Sequence, residues 1–299
     1  MIESKGVCKR FGNTAALAEV TAHIPKGSIY GLVGPNGSGK TTLLKTIAGI
    51  YRPDAGEVLA AGQPVWEAPA VKGKIFFLPD DLWFLPGSTL EEMAALYQGV
   101  YPGFDREEYQ QLLGVFPLEE KQRLSRFSKG MRRQAGLILA LSCRTPCLLL
   151  DEAFDGLDPM VRQKARKLLI REVESRGLTV AIASHNLREL EDLCDRVGLL
   201  YQGSLVLERE LDDLRESFSK VQGAFPEPVD WDNTGLAILR REERGNLTSL
   251  LVRGRPEEIV KQLEGLRPLF VEALPLTLEE AFIGEMEVLG YDYGDQLSE

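Results

Sequence analysis

Lys40, Thr41, Asp151, Glu152 and His185 are the residues of this chain whose types and spacing can do chemistry. Lys40 and Thr41 close the stretch Gly34-Pro35-Asn36-Gly37-Ser38-Gly39-Lys40-Thr41-Thr42, which satisfies the Gly-x-x-x-x-Gly-Lys-Thr pattern of a phosphate loop. Glycine at 34, 37 and 39 lets the backbone curl around phosphate oxygens where a Cβ would interfere. Lys40 is suited to reach the β- and γ-phosphates of a nucleotide, and the Thr41 hydroxyl to ligate Mg²⁺. Asn36, Gly37, Ser38, Gly39 and Thr42 complete the candidate nucleotide contacts. Asp151 ends the apolar run Leu148-Leu149-Leu150, so its carboxylate should emerge at the edge of the phosphate site and hold Mg²⁺. Glu152 adds a second carboxylate, free to orient or deprotonate an attacking water. His185, one of two histidines, follows an apolar stretch over 178–183 and is a candidate hydrogen-bond donor to the γ-phosphate.

Those side chains need a scaffold, and the flanking patterns predict one. Residues 28–33 are short, apolar and β-prone, while Leu43, Leu44, Ile47 and Ala48 repeat at helical spacing. A strand, a glycine loop and a helix N-terminus in that order build an anion site from backbone N–H groups and the helix dipole. Residues 2–9 and 18–24 read as strands around a turn at Phe11-Gly12-Asn13, and 50–66 as an antiparallel hairpin. A strand over 74–78 ends at Pro79-Asp80-Asp81, after which the pattern turns helical. Ser88 and Glu91 form a capping box there, Pro102-Gly103 breaks the first helix, and a third helix begins near Gly130. Residues 147–150 and 178–183 are continuous apolar runs, as expected of strands covered on both faces. Between them Asp158 caps and Pro159 opens a helix that Gly177 ends. A polar helix over 186–194 and a hairpin turning at Gln202-Gly203 follow.

Composition shifts after about Ser219, where Gly223, Pro226 and Pro228 read as a linker. Strands over 236–239, 247–252 and 269–273 and helices over 256–263 and 278–288 then make a small α/β unit. The predicted domains are 1–219, with a helical subdomain at about 82–145, and 220–299.

Composition narrows the function class. Hydrophobic residues are 44 % and charged residues 27 %, ordinary for a globular protein, and no window is apolar for long enough to span a bilayer. A net charge of −10 provides no global basic field for nucleic acid. The four cysteines show neither metal spacing nor a disulfide framework, so reduced thiols in the cytosol are expected. The first residues carry charges but no apolar run after them, unlike a signal peptide.

The phosphate loop, the helical insertion, Phe127-Ser128-Lys129-Gly130-Met131-Arg132-Arg133-Gln134, Asp151-Glu152, Gly156-Leu157-Asp158 and His185 follow one another in that order. Over residues 2 to about 219 this resembles the ATPase subunit of an ABC transporter. The resemblance implies ATP and Mg²⁺ as ligands, with Ser128 and Gly130 starting a helix that grips the γ-phosphate of ATP on a partner subunit. It also implies that Phe11 stacks on adenine and that Asp158 lies at the dimer interface. Two positions depart from the family. The signature usually reads Leu-Ser-Gly-Gly-Gln, and this chain has Phe127, Lys129 and Met131 at three of those places. Where the family has a glutamine that contacts Mg²⁺ and senses the membrane subunit, Asp80 or Asp81 stands, and Asp80 becomes a candidate metal contact through water. Leu276-Thr277-Leu278-Glu279-Glu280-Ala281-Phe282 resembles the Leu-Glu-Asp-x-Phe ending of exporter-type subunits.

The expected fold is α/β. It has a P-loop NTPase core of ABC-ATPase type, an antiparallel β subdomain, an inserted helical subdomain and a small C-terminal α/β domain. The resemblance implies an ATP-hydrolysing subunit, peripheral on the inner face of the cell membrane. It would pair head-to-tail with itself or a homologous subunit and energise separate transmembrane permease subunits, in an exporter. A soluble ABC-type ATPase acting on ribosomes or nucleic acid is the alternative, disfavoured by the acidic charge and the single cassette.

Overall fold

The apolar runs and glycine turns resolve into three sheets in the structure, a computed structural model that describes residues 1–288. The chain divides into two units, Met1–Glu208 and one beginning at Arg209.

In the first unit β1 (Ile2–Phe11) and β2 (Thr14–Ile24) pair antiparallel, with Phe11 opposite Thr14 across the Gly12-Asn13 turn. After β3 (Ile29–Val33) and α1 (Lys40–Ile47), β4 (Ala55–Ala60) returns antiparallel to β1 and pairs with β5 (Gln63–Pro64). Val7, Leu17 and Val20 of this sheet meet Leu43, Leu44 and Ile47 of α1 in one core. A short α2 (Pro69–Lys72) leads to β6 (Ile75–Leu78), followed by α3 (Leu90–Val100), α4 (Arg106–Val115) and α5 (Lys129–Ser142). The capping box of α3 is Thr89 with Glu92, one residue on from the expected Ser88 and Glu91. Ser88 is buried instead, and its hydroxyl donates to Leu85 O.

The central sheet is completed by β7 (Cys147–Asp151), β8 (Thr179–Ser184), β9 (Arg196–Tyr201) and β10 (Ser204–Glu210), in the order β10-β9-β3-β8-β7-β6. The pairs β9-β3, β3-β8, β8-β7 and β7-β6 are parallel, and every residue of β3, β7 and β8 is buried. Helices α6 (Pro159–Arg176) and α7 (Leu187–Leu190) connect these strands. The latter is shorter than the 186–194 expected, with Asn186 as its cap. Register sets Val33 beside Ser184 and Asp151 beside Ala183, so β3, β7 and β8 end together. That common carboxyl edge is where open α/β sheets bind ligands.

The second unit comprises α8 (Leu211–Glu216), β11 (Phe218–Ala224), β12 (Ile238–Arg244), β13 (Leu247–Arg253), α9 (Pro256–Glu264), β14 (Phe270–Leu274) and α10 (Leu278–Val288). Its antiparallel sheet runs β12-β13-β11-β14, over a core of Val221, Trp231, Leu250, Val252, Ile259 and Leu263. The break between units therefore precedes the composition shift at Ser219. The stretch expected as linker contains β11, a central strand. Gly223 is a buried strand residue closed over by Phe225 and the Phe270 carbonyl, and only Pro226 and Pro228 lie in the loop after it.

Candidate functional site

Gly39 caps α1 at φ +108°, and a Cβ there would stand 2.5 Å from Ala16 O, so only glycine turns the loop into the helix at this point. The first N–H groups of α1 have no partner within the helix and face the loop, as at any helix start. Lys40 is 6 % exposed, and its Nζ donates to Gly34 O at 2.6 Å and Pro35 O at 3.1 Å. Burial pulls its pKa down, opposed by the charges of Glu152 and Asp151. Ser38 is buried with its hydroxyl unpartnered, while Asn36, Gly37 and Thr41 are exposed and Thr42 is half-buried.

Asp151 ends β7 with both carboxylate oxygens buried and without a well-formed hydrogen bond. Burial raises its pKa; the nearby Thr41 hydroxyl and Lys40 lower it, and the charge of Asp80 raises it. Two orphaned anionic oxygens inside a protein are costly unless a cation or donor completes them. Glu152 follows at φ +48°, a left-handed conformation that few non-glycine residues hold, and its N–H donates to Ala183 O at 2.9 Å. Its side chain, 14 % exposed, sits with Oε1 3.9 Å from Lys40 Nζ and Oε2 2.9 Å from His185 Nδ1. With Glu152 ionised, Nδ1 carries the proton and donates, which leaves Nε2 open. Burial raises the Glu152 pKa, and His185 and Lys40 partly offset it. The structure thus brings Lys40, Asp151, Glu152 and His185 together, with His185 on the carboxylate.

Ser128 caps α5 and accepts from Met131 N at 3.2 Å. A Cβ on Gly130 would stand 2.8 Å from Gly156 O, so the signature turn packs backbone to backbone on the segment after Glu152. Asp158 spends its carboxylate as the cap of α6, accepting from Met160 N and Val161 N at 3.0 Å each. Phe11 is 46 % exposed, edge-on to Tyr51 at 5.3 Å. Asp80 has its Oδ1 2.6 Å from Arg133 Nη2.

Two residues of this region, Arg132 and Arg133, were not singled out in the sequence, and Lys129 was noted only as a departure from the signature. Arg133 and Arg132 donate from α5 to the segment after β6, and Lys129 Nζ lies 2.6 Å from Asp155 Oδ2. The signal available was charge placement: the first turns of α5 hold three cations and no acid, opposite to what a helix dipole favours.

The N–H groups of the first turn of α1, a buried ammonium and orphaned carboxylate oxygens at one sheet edge suit a metal-bound triphosphate, with a fixed carboxylate beside it. The fold is that of an ABC-type ATPase. Residues 17–155 match the ABC transporter family. The ABC transporter ATP-binding protein YtrB of Bacillus subtilis (strain 168) is 33 % identical over 285 residues, covering 95 % of this chain and 98 % of the relative. The lantibiotic transport ATP-binding protein SrtF of Streptococcus pyogenes is 32 % identical over 73 % of this chain and 96 % of its own. Among solved structures, the dimeric post-hydrolysis state of the ATP-binding cassette MJ0796 bound to ADP and Pi superposes with a TM-score of 0.63 at 25 % identity, covering 71 % of this chain and 99 % of that one. The chain belongs to the ATP-binding, ATP-hydrolysing subunits of ABC transporters.

Proposed function

We propose that two copies of this subunit, or one copy and a homologous subunit, close head-to-tail around two Mg-ATP and thereby drive separate permease subunits of an exporter. The observation that carries the reading is a second anion element. The turn Ser128–Gly130 opens α5 with an exposed capping serine and a backbone pressed on Gly156, in a chain with one phosphate loop. A helix N-terminus so exposed is fit for a phosphate brought by another chain.

In this reading Lys40 and the loop N–H groups bind the β- and γ-phosphates, and Thr41 and Asp151 hold the metal. Bound Mg²⁺ supplies neutralisation of charge on the β- and γ-phosphates. Mg²⁺ needs only one or two protein carboxylates when phosphates complete its shell. Glu152 orients or deprotonates the attacking water, and its fixed carboxylate, held by His185 at 2.9 Å, supports that role. His185 Nε2 is left to face the γ-phosphate, Phe11 offers an exposed ring to adenine, and Asp158 contributes to the dimer face beside its capping role.

Among the described residues no helix is long and apolar enough to cross a membrane. A cavity of about 340 Å³ between Asp80, Leu82, Phe127 and Arg132, with Trp83 exposed beside it, is a suitable docking groove for a permease at the cytoplasmic membrane face. The likeness of the ending at 276–282 to exporter-type subunits supports export.

The test is Glu152→Gln, which keeps shape and loses charge. Turnover should drop by roughly 10²–10⁴, about 3–5 kcal/mol of barrier. The variant should run as a dimer in Mg-ATP and a monomer in Mg-ADP by light scattering, and adding Ser128→Arg should block the ATP-driven dimer. Wild-type rates in Glu152→Gln would remove Glu152 from the mechanism. An assembly state indifferent to nucleotide would remove the composite site.

A further inference from the structure

Arg133 is a guanidinium only 1 % exposed, in the second turn of α5. A cation so buried persists when it is paired and hydrogen-bonded. All its hydrogen bonds go to one dipeptide. Nη1 donates to Pro79 O at 3.0 Å and Asp80 O at 2.9 Å, and Nη2 donates to Asp80 Oδ1 at 2.6 Å. Arg132 adds a donation to Leu82 O at 2.6 Å, its guanidinium 5.5 Å from the Phe84 ring centre. The segment after β6 therefore hangs from the opening turns of α5, whose cap is Ser128.

β6 itself is locked in register with β7, Leu78 beside Leu150, one residue before Asp151. A carboxylate at position 80 thus stands between two cationic claims: a metal beside Asp151, and Arg133. The short charge-assisted bond gives it to Arg133. A glutamine at 80 could accept the same hydrogen bond but would remove the carboxylate charge that Arg133 contacts directly. The aspartate that departs from the family pattern and the arginine that faces it are one feature.

We infer that Asp80 is a positioning residue and not a metal ligand. With Arg133 it forms a strut that fixes the signature helix to the acid-bearing edge of the sheet, and it governs ATP-driven pairing of two chains, not Mg²⁺ binding. The inference rests on the head-to-tail reading above. Whatever presses on the segment after β6 then acts on the Ser128 turn through side chains of the same subunit.

The experiment uses the full chain with Glu152→Gln, in which ATP-bound dimers accumulate. Asp80→Asn and Arg133→Gln each remove one charge, and their combination removes both. Each single change should weaken Mg-ATP-driven dimerisation by about tenfold or more, read by light scattering across protein concentrations. The double variant should fall no further than the worse single, because the two groups act as one unit. It also covers a folding failure of the singles, since it leaves no unpaired buried charge. The Mg²⁺ concentration for half-maximal binding of a fluorescent ATP analogue should move by less than about twofold in all three. A higher Mg²⁺ requirement in Asp80→Asn that Arg133→Gln does not share would make Asp80 a metal ligand and overturn the strut. Losses that add in the double variant would overturn it too. Undiminished dimers in Asp80→Asn would remove the strut alone. A parent Glu152→Gln chain that never dimerises would bring down the head-to-tail reading, and the strut's role in pairing with it.

Discussion

Glu152 stands under three influences at the residue scale, and their balance sets a pH dependence. Burial raises its pKa, while His185 and Lys40 lower it, and burial prevails. A carboxylate that activates water must be ionised, so hydrolysis should fail on acidification at a pH above the ordinary glutamate range. His185 favours the ionised form, so removing it raises the Glu152 pKa further. His185→Gln should accordingly shift the acid limb of the kcat/KM profile to higher pH, and an unmoved limb would show that His185 does not act through Glu152. Lys40, Asp151 and Glu152 were legible in the sequence because each lies in a contiguous motif whose flanking strand or helix is equally contiguous. Arg133 was not, since its meaning comes from Asp80, a partner 53 positions away that only the fold brings near.

At the scale of elements, Asp158 shows how one side chain serves a helix before it serves a partner. Its carboxylate satisfies two of the orphan N–H groups of α6, with Pro159 at the first helical position. Asp158→Ala should lower stability to urea by about 1 kcal/mol, while Asp158→Asn, itself a good cap, should lose little. An alanine variant as stable as the parent would mean that water replaces the cap without cost. The Asp-Pro pair announced this helix correctly because both residues act locally. The start of α3 was misplaced by one residue because Ser88 and Thr89 are both capping residues, each with a glutamate three positions on. β11 escaped notice for a different reason. Its single glycine resembled the prolines that follow, and its buried alternation of Ser219, Val221 and Gly223 depends on the strands β13 and β14 on either side.

Each unit of the molecule has its own core, one around Leu43, Leu149 and Ala183 and one around Val221, Trp231 and Leu250. Glu208 belongs to the first: its Oε1 accepts from Tyr30 Oη at 2.9 Å and from His23 N at 3.0 Å. A chain ending at Glu210 should fold and be thermally stabilised by Mg-ATP, since it keeps β10 and every residue of the site. A chain ending at Leu205 strands the buried Tyr30 hydroxyl and should lose a further 1–3 kcal/mol or so. Thermal unfolding with and without nucleotide separates the cases, and an unfolded chain from the longer cut would make the second unit part of the nucleotide core. The alternation of short strands, glycine turns and helices was enough to foresee the first unit, because each of its elements is marked by its own contiguous run of residues. The boundary was harder to foresee because nothing in composition marks the passage from β10 to α8.

The left-handed backbone at Glu152 sets the fold and the chemistry against each other at a single position. Holding a non-glycine residue there costs about 1–2 kcal/mol that glycine would recover. In the mechanism proposed above, selection for thermal endurance alone would drift toward glycine at 152 and arrive at a hardier protein that no longer turns over. On that mechanism glutamate persists there only while hydrolysis is demanded, so in a lineage released from that demand this codon is among the first places where the change should be written.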